Sequence, residues 1–436
     1  MSSTCWHSTS IIMPNVSDPE KSDEFQSEKL TLDEDSKLDV PPEGGYGWVV
    51  VLSSFLIHFV VLGVQYSWGI YQQYYLSHTF AGRVKASSLS LVGTIGAAAM
   101  PICGIVTGRL ADRYGFKLIA FCGTATLTLG LILASFAKEL WHLYLTQGLL
   151  YGVGSSLCFF PAISVPSQWF KQRRGLAVGI AVSGSGIGGL ALGPATDRLI
   201  SSLGHQWALR VTGIFSFVLL SVACILLRTR AKTKVNSPII DVKLFKNPKF
   251  IIMCLGGVTF SFGYLIPMYY IPDYASSISL SASSGALIVG LLNGASALGR
   301  VLLGTAADRF GRLNLLVFCM LVGSLSTLII WPNAGSFAPL LIFALLFGFT
   351  AGGFISLFPV VIANIFGLEN LATVTGLVYA STGVGNLAGS PTAGALHDST
   401  SDYLPVILLS GVTMVFGTLV NFGLRMMVER KLFAKA

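Results

Sequence analysis

Charge is what this sequence lacks. Only 11% of its 436 residues are charged and 53% are hydrophobic, against roughly 25% charged residues in ordinary soluble domains. A water-soluble core of this size cannot hide so much apolar chain, and the mean hydropathy of +0.71 says the same. The seven cysteines (Cys5, Cys103, Cys122, Cys158, Cys224, Cys254 and Cys319) stand singly, without a CxxC or a Cys/His cluster. That argues against a metal site or a disulfide framework and leaves small core residues. There is no GxxxxGK[ST] phosphate loop for a nucleotide-driven pump. No nucleophile–base pair or metal constellation supports an enzyme, and no cofactor is implied. The start has no basic segment leading into a short apolar core and cleavage site, so the first span is expected to act as its own insertion signal.

What is present is long apolar windows. They fall near 48–75, 87–107, 117–137, 141–163, 175–196 and 207–227, then near 251–271, 283–305, 313–331, 337–360, 371–392 and 404–427. Each can cross a bilayer as a helix of roughly 20 residues. The expected fold is therefore an all-α polytopic membrane protein with twelve transmembrane helices in two six-helix halves. The reading divides the chain into a disordered acidic cytosolic tail (1–46), an N-terminal half (47–227), a basic cytosolic linker (228–250), a C-terminal half (251–427) and a short cytosolic tail (428–436). Half of the 20 acids precede the first span. The basic residues instead sit in short loops, which membrane sidedness explains better than nucleic-acid binding. With both termini cytosolic, Arg109, Arg113, Lys117, Lys171, Arg173, Arg174, Arg309 and Arg312 face inside together with the linker bases. The outer loops then hold only Arg83, Lys85, Lys138 and Arg198. The Asn15 sequon would lie inside and stay unglycosylated.

An internal repeat supports two parallel halves. GRLADRYGFK at 108–117 is answered by GTAADRFGR at 304–312, which places Asp112 and Asp308 196 positions apart. GIAVSGSGIGGLALGP in span 5 is answered by GLVYASTGVGNLAGSP in span 11, with Gly179, Gly186, Gly188 and Pro194 recurring at Gly376, Gly383, Gly385 and Pro391. Pro161 is answered by Pro359. The glycines leave shallow faces on which another helix can pack and slide, and Gly184, Gly186, Gly383 and Gly385 are the candidates for that role.

The repeated GxxxDRxGx(R/K) loop resembles the signature of the major facilitator superfamily over residues 47–427. The resemblance implies a cytosolic latch made by Asp112, Arg113, Asp308 and Arg309, and gliding interfaces at the glycine runs. EGGYGW (Glu43, Gly44, Gly45, Tyr46, Gly47 and Trp48), followed by an apolar helix, is similar to the first signature of the monocarboxylate porter family. SQWFKQRRGLAVGIAVSGSG at 167–186 is similar to its second. The whole looks like a fungal-type member. Physically, Pro41 and Pro42 stop a helix from running backward, and Tyr46 and Trp48 suit the headgroup layer.

The same resemblance exposes a gap. Members carrying lactate-like anions with a proton use a lysine late in span 1 and an Asp and Arg one turn apart in span 8. Here Arg300 stands at the arginine position, Ser296 replaces the acid, and Gly69 falls where the lysine is expected. Arg300 either serves substrate or gating, or snorkels to the nearby helix end. His58, deep in span 1, is either a proton relay or a satisfied packing histidine. Arg210 beside Trp207 reads as an interfacial anchor. Tyr66, Trp68, Tyr71, Tyr264, Asn293 and Asn386 are the polar and aromatic residues expected to line a central cavity with Arg300.

The composite reading is a secondary transporter of a small organic metabolite working by alternating access, with membrane lipids around it and protons or a counter-ion as candidate co-substrates. Loss of the monocarboxylate residues favours efflux of a fungal secondary metabolite. The alternatives are uptake of a monocarboxylate or a vitamin-like compound such as riboflavin, and a nutrient sensor signalling through its tail. The plasma membrane is the expected location and the vacuolar membrane its rival.

Overall fold

The structure, a computed structural model, describes residues 43–84, 86–230, 244–368 and 371–430. The acidic tail before Glu43, the middle of the basic linker and the last six residues, to which the tail and linker readings apply, lie outside the described residues. Apolar chain in a bilayer must satisfy every backbone amide internally, and it does so as helix. Twelve long helices result among the described residues. In chain order they are α1 (Tyr46–Thr79), α2 (Ala86–Tyr114), α3 (Phe116–Ala134), α4 (Leu140–Trp169), α5 (Arg174–Leu203), α6 (His205–Leu226), α7 (Pro248–Ser277), α8 (Ala282–Phe310), α9 (Arg312–Asn333), α10 (Phe337–Phe366), α11 (Leu371–Thr400) and α12 (Leu404–Val428). Eleven are long and apolar enough to cross a membrane; α11, rich in Gly, Ser and Thr, falls below them in hydropathy.

The repeat is visible in the helix ends. Gly115 and Gly311 close the α2–α3 and α8–α9 corners at φ +94° and +98°, a backbone conformation that glycine reaches without strain. That lets a one-residue turn reverse the chain directly after each Asp-Arg pair. α1 and α7 also break at equivalent points, after Tyr66 and after Tyr264. In α7 the cause is Pro267, whose ring cannot follow a helical turn. In α1 it is Ser67, whose Oγ donates to the Gly63 carbonyl oxygen at 3.0 Å and competes with the backbone.

Two large apolar cores form. One draws almost entirely on α1–α6, around residues such as Ile57, Tyr75, Phe160 and Leu220. The other draws on α7–α12, around Phe250, Phe343, Phe358 and Met414. Between them α2 packs on α11 and α5 packs on α8, the same contact made twice by the repeat. These interfaces are tight at the end that carries the DRxG loops. A Cβ at Gly376 would meet the Gly104 carbonyl oxygen at 2.0 Å, and one at Gly179 would meet the Arg300 carbonyl oxygen at 2.2 Å. Towards the other end of α8, a Cβ at Gly290 or Gly294 would meet nothing within 4 Å. The two bundles thus meet backbone to backbone towards the basic end, while this stretch of α8 has open space beside it.

Candidate functional site

The closed end is built from carboxylates aimed at helix N-termini. A helix start leaves unpaired N–H groups and partial positive charge, which an acid satisfies. Asp112, buried at the end of α2, accepts from the Thr373 amide at 2.7 Å and from Thr373 Oγ1 at 2.6 Å, at the start of α11. Asp308, its repeat partner at the end of α8, accepts from the amides of Gly175 and Leu176 at 2.9 and 3.0 Å, at the start of α5. Each acid therefore crosses from one bundle to cap a helix of the other.

The basic partners differ from those expected. Arg113 is exposed and lies over the neighbouring Tyr114 ring at 5.4 Å, and Arg309 is exposed. The charges beside the acids are Arg109, buried near Asp112, and Arg312, which pairs with Asp308 at 3.1 Å. Arg109 lies one turn before Asp112 on the same face of α2, where residues three apart are neighbours, whereas Arg312 begins α9 and is brought back beside Asp308 by the turn at Gly311. Arg312 also donates to Asn364 Oδ1 at 3.1 Å and to the Lys171 carbonyl, tying α9, α10 and the α4–α5 loop together.

Glu43 has a role that no local pattern reveals. Its carboxylate accepts from the amides of Lys171 and Gln172 at 2.6 Å each and of Arg173 at 3.2 Å. Around it Tyr46 meets Trp169 with ring centroids 5.8 Å apart, and Trp48 meets Phe170 at 4.9 Å. A Cβ at Gly47 would lie 3.0 Å from the Phe170 ring. Tyr46 and Trp48 are thus packed against the α4–α5 loop, and EGGYGW and SQWFKQRRG form one structural unit. Gly44 and Gly45 meet nothing within 4 Å, so their part is conformational, with Gly45 at φ +59°.

The four glycines chosen for sliding divide between two kinds of face. Gly186 and Gly383 meet the opposite bundle, against Ala297 and Pro101. Gly184 and Gly385 meet helices of their own bundle, against the carbonyls of Phe55 and Val258. Successive even positions on a helix turn about 200°, which is why one motif serves both faces.

Deeper in, Arg300 leaves the α8 face towards α5. It is 2% exposed, and Nη1 donates to the Val182 carbonyl oxygen at 2.9 Å and to Ser185 Oγ. Nε has no hydrogen-bond partner, and among the described residues the guanidinium has no carboxylate partner. It does not snorkel. The Tyr264 and Tyr379 hydroxyls are buried without partners. Aromatic rings pack against these two tyrosines: Phe159, Phe160 and Phe358 lie 5.7–5.9 Å from Tyr379, and Phe354 lies 5.5 Å from Tyr264. Tyr66, 42% exposed, reaches Gly189 on α5.

Not all of the expected lining residues join this cluster. Trp68 and Tyr71 turn into the first bundle's own core, Trp68 against Gly93 of α2 and Tyr71 beside Tyr75. The cause is the break at Ser67, which rotates the following turn of α1. Asn293 spends its side chain on the Val289 carbonyl oxygen, one turn back. Asn386 keeps a buried, unpartnered Oδ1 on α11. Tyr379 was missed, although the repeat offers a signal: its counterpart is Val182, whose carbonyl holds Arg300. The counterpart of Arg300 itself is Gly104, so the cation breaks the symmetry of the two interfaces at one place.

Two six-helix bundles related by an internal repeat, latched at the basic end and holding a buried cation deeper between them, define an integral membrane protein with the architecture of a carrier. Comparison with known proteins gives the family. The Major Facilitator Superfamily model matches residues 52–304 and 270–432, and the chain belongs to that superfamily. Over 96% of its length it is 33% identical to the MFS transporter asaE of Aspergillus flavus, covering 97% of that protein. It is 31% identical to the agnestins efflux protein AgnL12 of Paecilomyces divaricatus over 89% of both chains. It is 29% identical to the aspyridones efflux protein apdF of Emericella nidulans, over 88% of this chain and 79% of that one. The fold is shared with the transporter FucP in its outward conformation, with a TM-score of 0.67 at 14% identity over 86% of this chain and 98% of FucP. A bacterial ferroportin homologue in its outward-facing state gives 0.70 at 16% identity, over 88% and 100%. The protein is a secondary transporter of a small organic metabolite.

Proposed function

We propose that the protein exports a conjugated or aromatic organic anion, a fungal secondary metabolite, and that Arg300 is its anchor. The observation that carries this reading is the guanidinium itself. A cation in the middle of a membrane span costs about 3 kcal/mol or more unless something compensates it, and among the described residues no carboxylate does. An anionic cargo would. The ring cluster of Phe159, Phe160, Phe358 and Tyr379, and the pair Phe354 and Tyr264, suit a flat unsaturated body, and the unpartnered phenol hydroxyls offer hydrogen bonds to oxygen substituents. Efflux of agnestins and aspyridones by similar proteins points the same way.

In this reading the basic end is cytosolic, both termini lie inside, and the protein resides in the plasma membrane. The halves 47–227 and 251–427 rock about the α2–α11 and α5–α8 contacts. The state described is then outward-facing, held by Asp112 and Asp308, with Gly186 and Gly383 on the moving faces. The monocarboxylate porter signatures act as the brace that Glu43 makes with the α5 start. The test is Arg300→Gln: it is expected to abolish export of an anionic metabolite while the protein still reaches the membrane, and unchanged export would refute the assignment.

A further inference from the structure

Arg300 and the groups that hold it belong to different bundles. The guanidinium rises from α8, whereas Val182 and Ser185 lie on α5. Ser185 is fully buried. An arginine can only donate, so Ser185 Oγ accepts from Nη1 and gives its own hydrogen to the Val182 carbonyl oxygen at 2.8 Å. The same carbonyl also accepts from Nη1, so hydroxyl and carbonyl form a pair of acceptors aimed at one nitrogen. A serine bonded to a carbonyl one turn back is ordinary in a helix. The repeat shows it without a cation: at the equivalent place on α11, Thr382 Oγ1 donates to the Tyr379 carbonyl oxygen at 2.7 Å. There the residue in the place of Arg300 is Gly104, which has no side chain to use the pair. With the cation drawn onto α5, only 2% of Arg300 is exposed.

We propose that Ser185 is the release group of the carrier: with the Val182 carbonyl it competes with a cargo carboxylate for the Arg300 guanidinium. The anchor is then strong in one access state and weak in the other. When the bundles part at the basic end, α5 moves off α8 and takes both acceptors with it. Arg300 is left as a buried cation without these oxygens, and an anion arriving from that side satisfies it. When that end closes, as in the state described, the two oxygens return to Nη1. The carboxylate loses its charge-assisted bond there and leaves through the opposite end. Tight at the basic end and loose at the other is the order in which an exporter loads and unloads. By reciprocity, a bound anion opposes closure by the same factor by which closure weakens its binding. The inference rests on the anion-export reading of Arg300 and names what lets the anion go.

The test measures benzoate binding to the full-length protein in nanodiscs by titration calorimetry. Ser185→Ala removes one acceptor from a charged donor and should tighten binding about tenfold over the parent. Ser183→Ala, whose hydroxyl serves the Ile180 carbonyl oxygen of its own helix at 2.8 Å, should match the parent. Adding Arg300→Gln to Ser185→Ala should cancel the gain. Ser185→Cys, close to serine in size but a weak acceptor, should move the same way and carries the test if the alanine variant does not fold. Asp112→Asn with Asp308→Asn, which favours the state open at the basic end, should tighten binding with Ser185 intact, and Ser185→Ala should then add nothing. Binding no tighter than the parent's in the Ser185 variants would overturn the proposal. So would a gain that survives Arg300→Gln, or one that adds in full to the latch variants. Export from cells that Arg300→Gln leaves untouched would refute the anion reading. Arg300-dependent export with no gain in the Ser185 variants would refute the release role alone.

Discussion

Glu43 and Asp308 share the start of α5. Glu43 takes the amides of Lys171, Gln172 and Arg173, and Asp308 takes those of Gly175 and Leu176. One acid belongs to the same bundle as α5 and the other to the opposite bundle. When the bundles part at this end, Asp308 must leave, whereas Glu43 can stay and keep the helix start ordered.

The two acids should therefore behave differently on substitution. Glu43→Gln removes charge from a nest of three amides within one bundle and is expected to lower stability in both access states, by about 0.5–2 kcal/mol. Thermal unfolding in detergent should show a drop that is independent of conformation. An unchanged midpoint would mean the amides find other partners without loss.

Asp308→Asn, and Asp112→Asn in the other interface, act across the bundles instead. Each should cost the closed state about 0.3–2 kcal/mol relative to the state open at the basic end. Spin-label distances across the basic end, one label near the end of α8 and one near the start of α5, should lengthen in population. Arg113→Ala and Arg309→Ala should leave those distances alone, because neither side chain joins the latch.

Backbone contact between the bundles makes a steric prediction. Gly376→Ala places a methyl 2.0 Å from the Gly104 carbonyl oxygen, and Gly179→Ala places one 2.2 Å from that of Arg300. Backbone cannot step aside as a side chain can, so overpacking of about 1–3 kcal/mol should fall on the closed state. Gly294→Ala, with open space around it, is the control and should be silent. Labelling of a cysteine placed in the cavity from the basic side would report the shift.

Much of the fold was legible because hydropathy has a long period that tertiary context cannot disguise. The exception is α11, whose residues from Leu371 to Thr400 are rich in Gly, Ser and Thr. It packs on α2 and α7, and close helix approach favours small residues over lipid-facing bulk. Its apolar window near 371–392 is weaker than the others, and its repeat with α5 supports it. Asp112 and Asp308 stood out through the repeat, but the bases beside them did not, since Arg312 reaches Asp308 only through the turn at Gly311 that starts α9. Glu43 was visible only as part of a signature, because the amides it holds lie 128–130 residues away. Trp68 and Tyr71 were misplaced by the rotation at Ser67, a break that no proline announces. Arg300 could be singled out from its cost in a membrane; that it turns inward is a matter of its neighbours on α5.

The central claim is that the chain carries an organic anion outward on Arg300. Untargeted comparison of metabolites in cells and medium tests it most directly, across cells with the protein, without it, and with Arg300→Gln at equal membrane abundance. The account predicts at least one aromatic or conjugated acid that leaves the medium and builds up in cells without the protein, with Arg300→Gln giving the same pattern. No redistributed metabolite, or full export by Arg300→Gln, would contradict it.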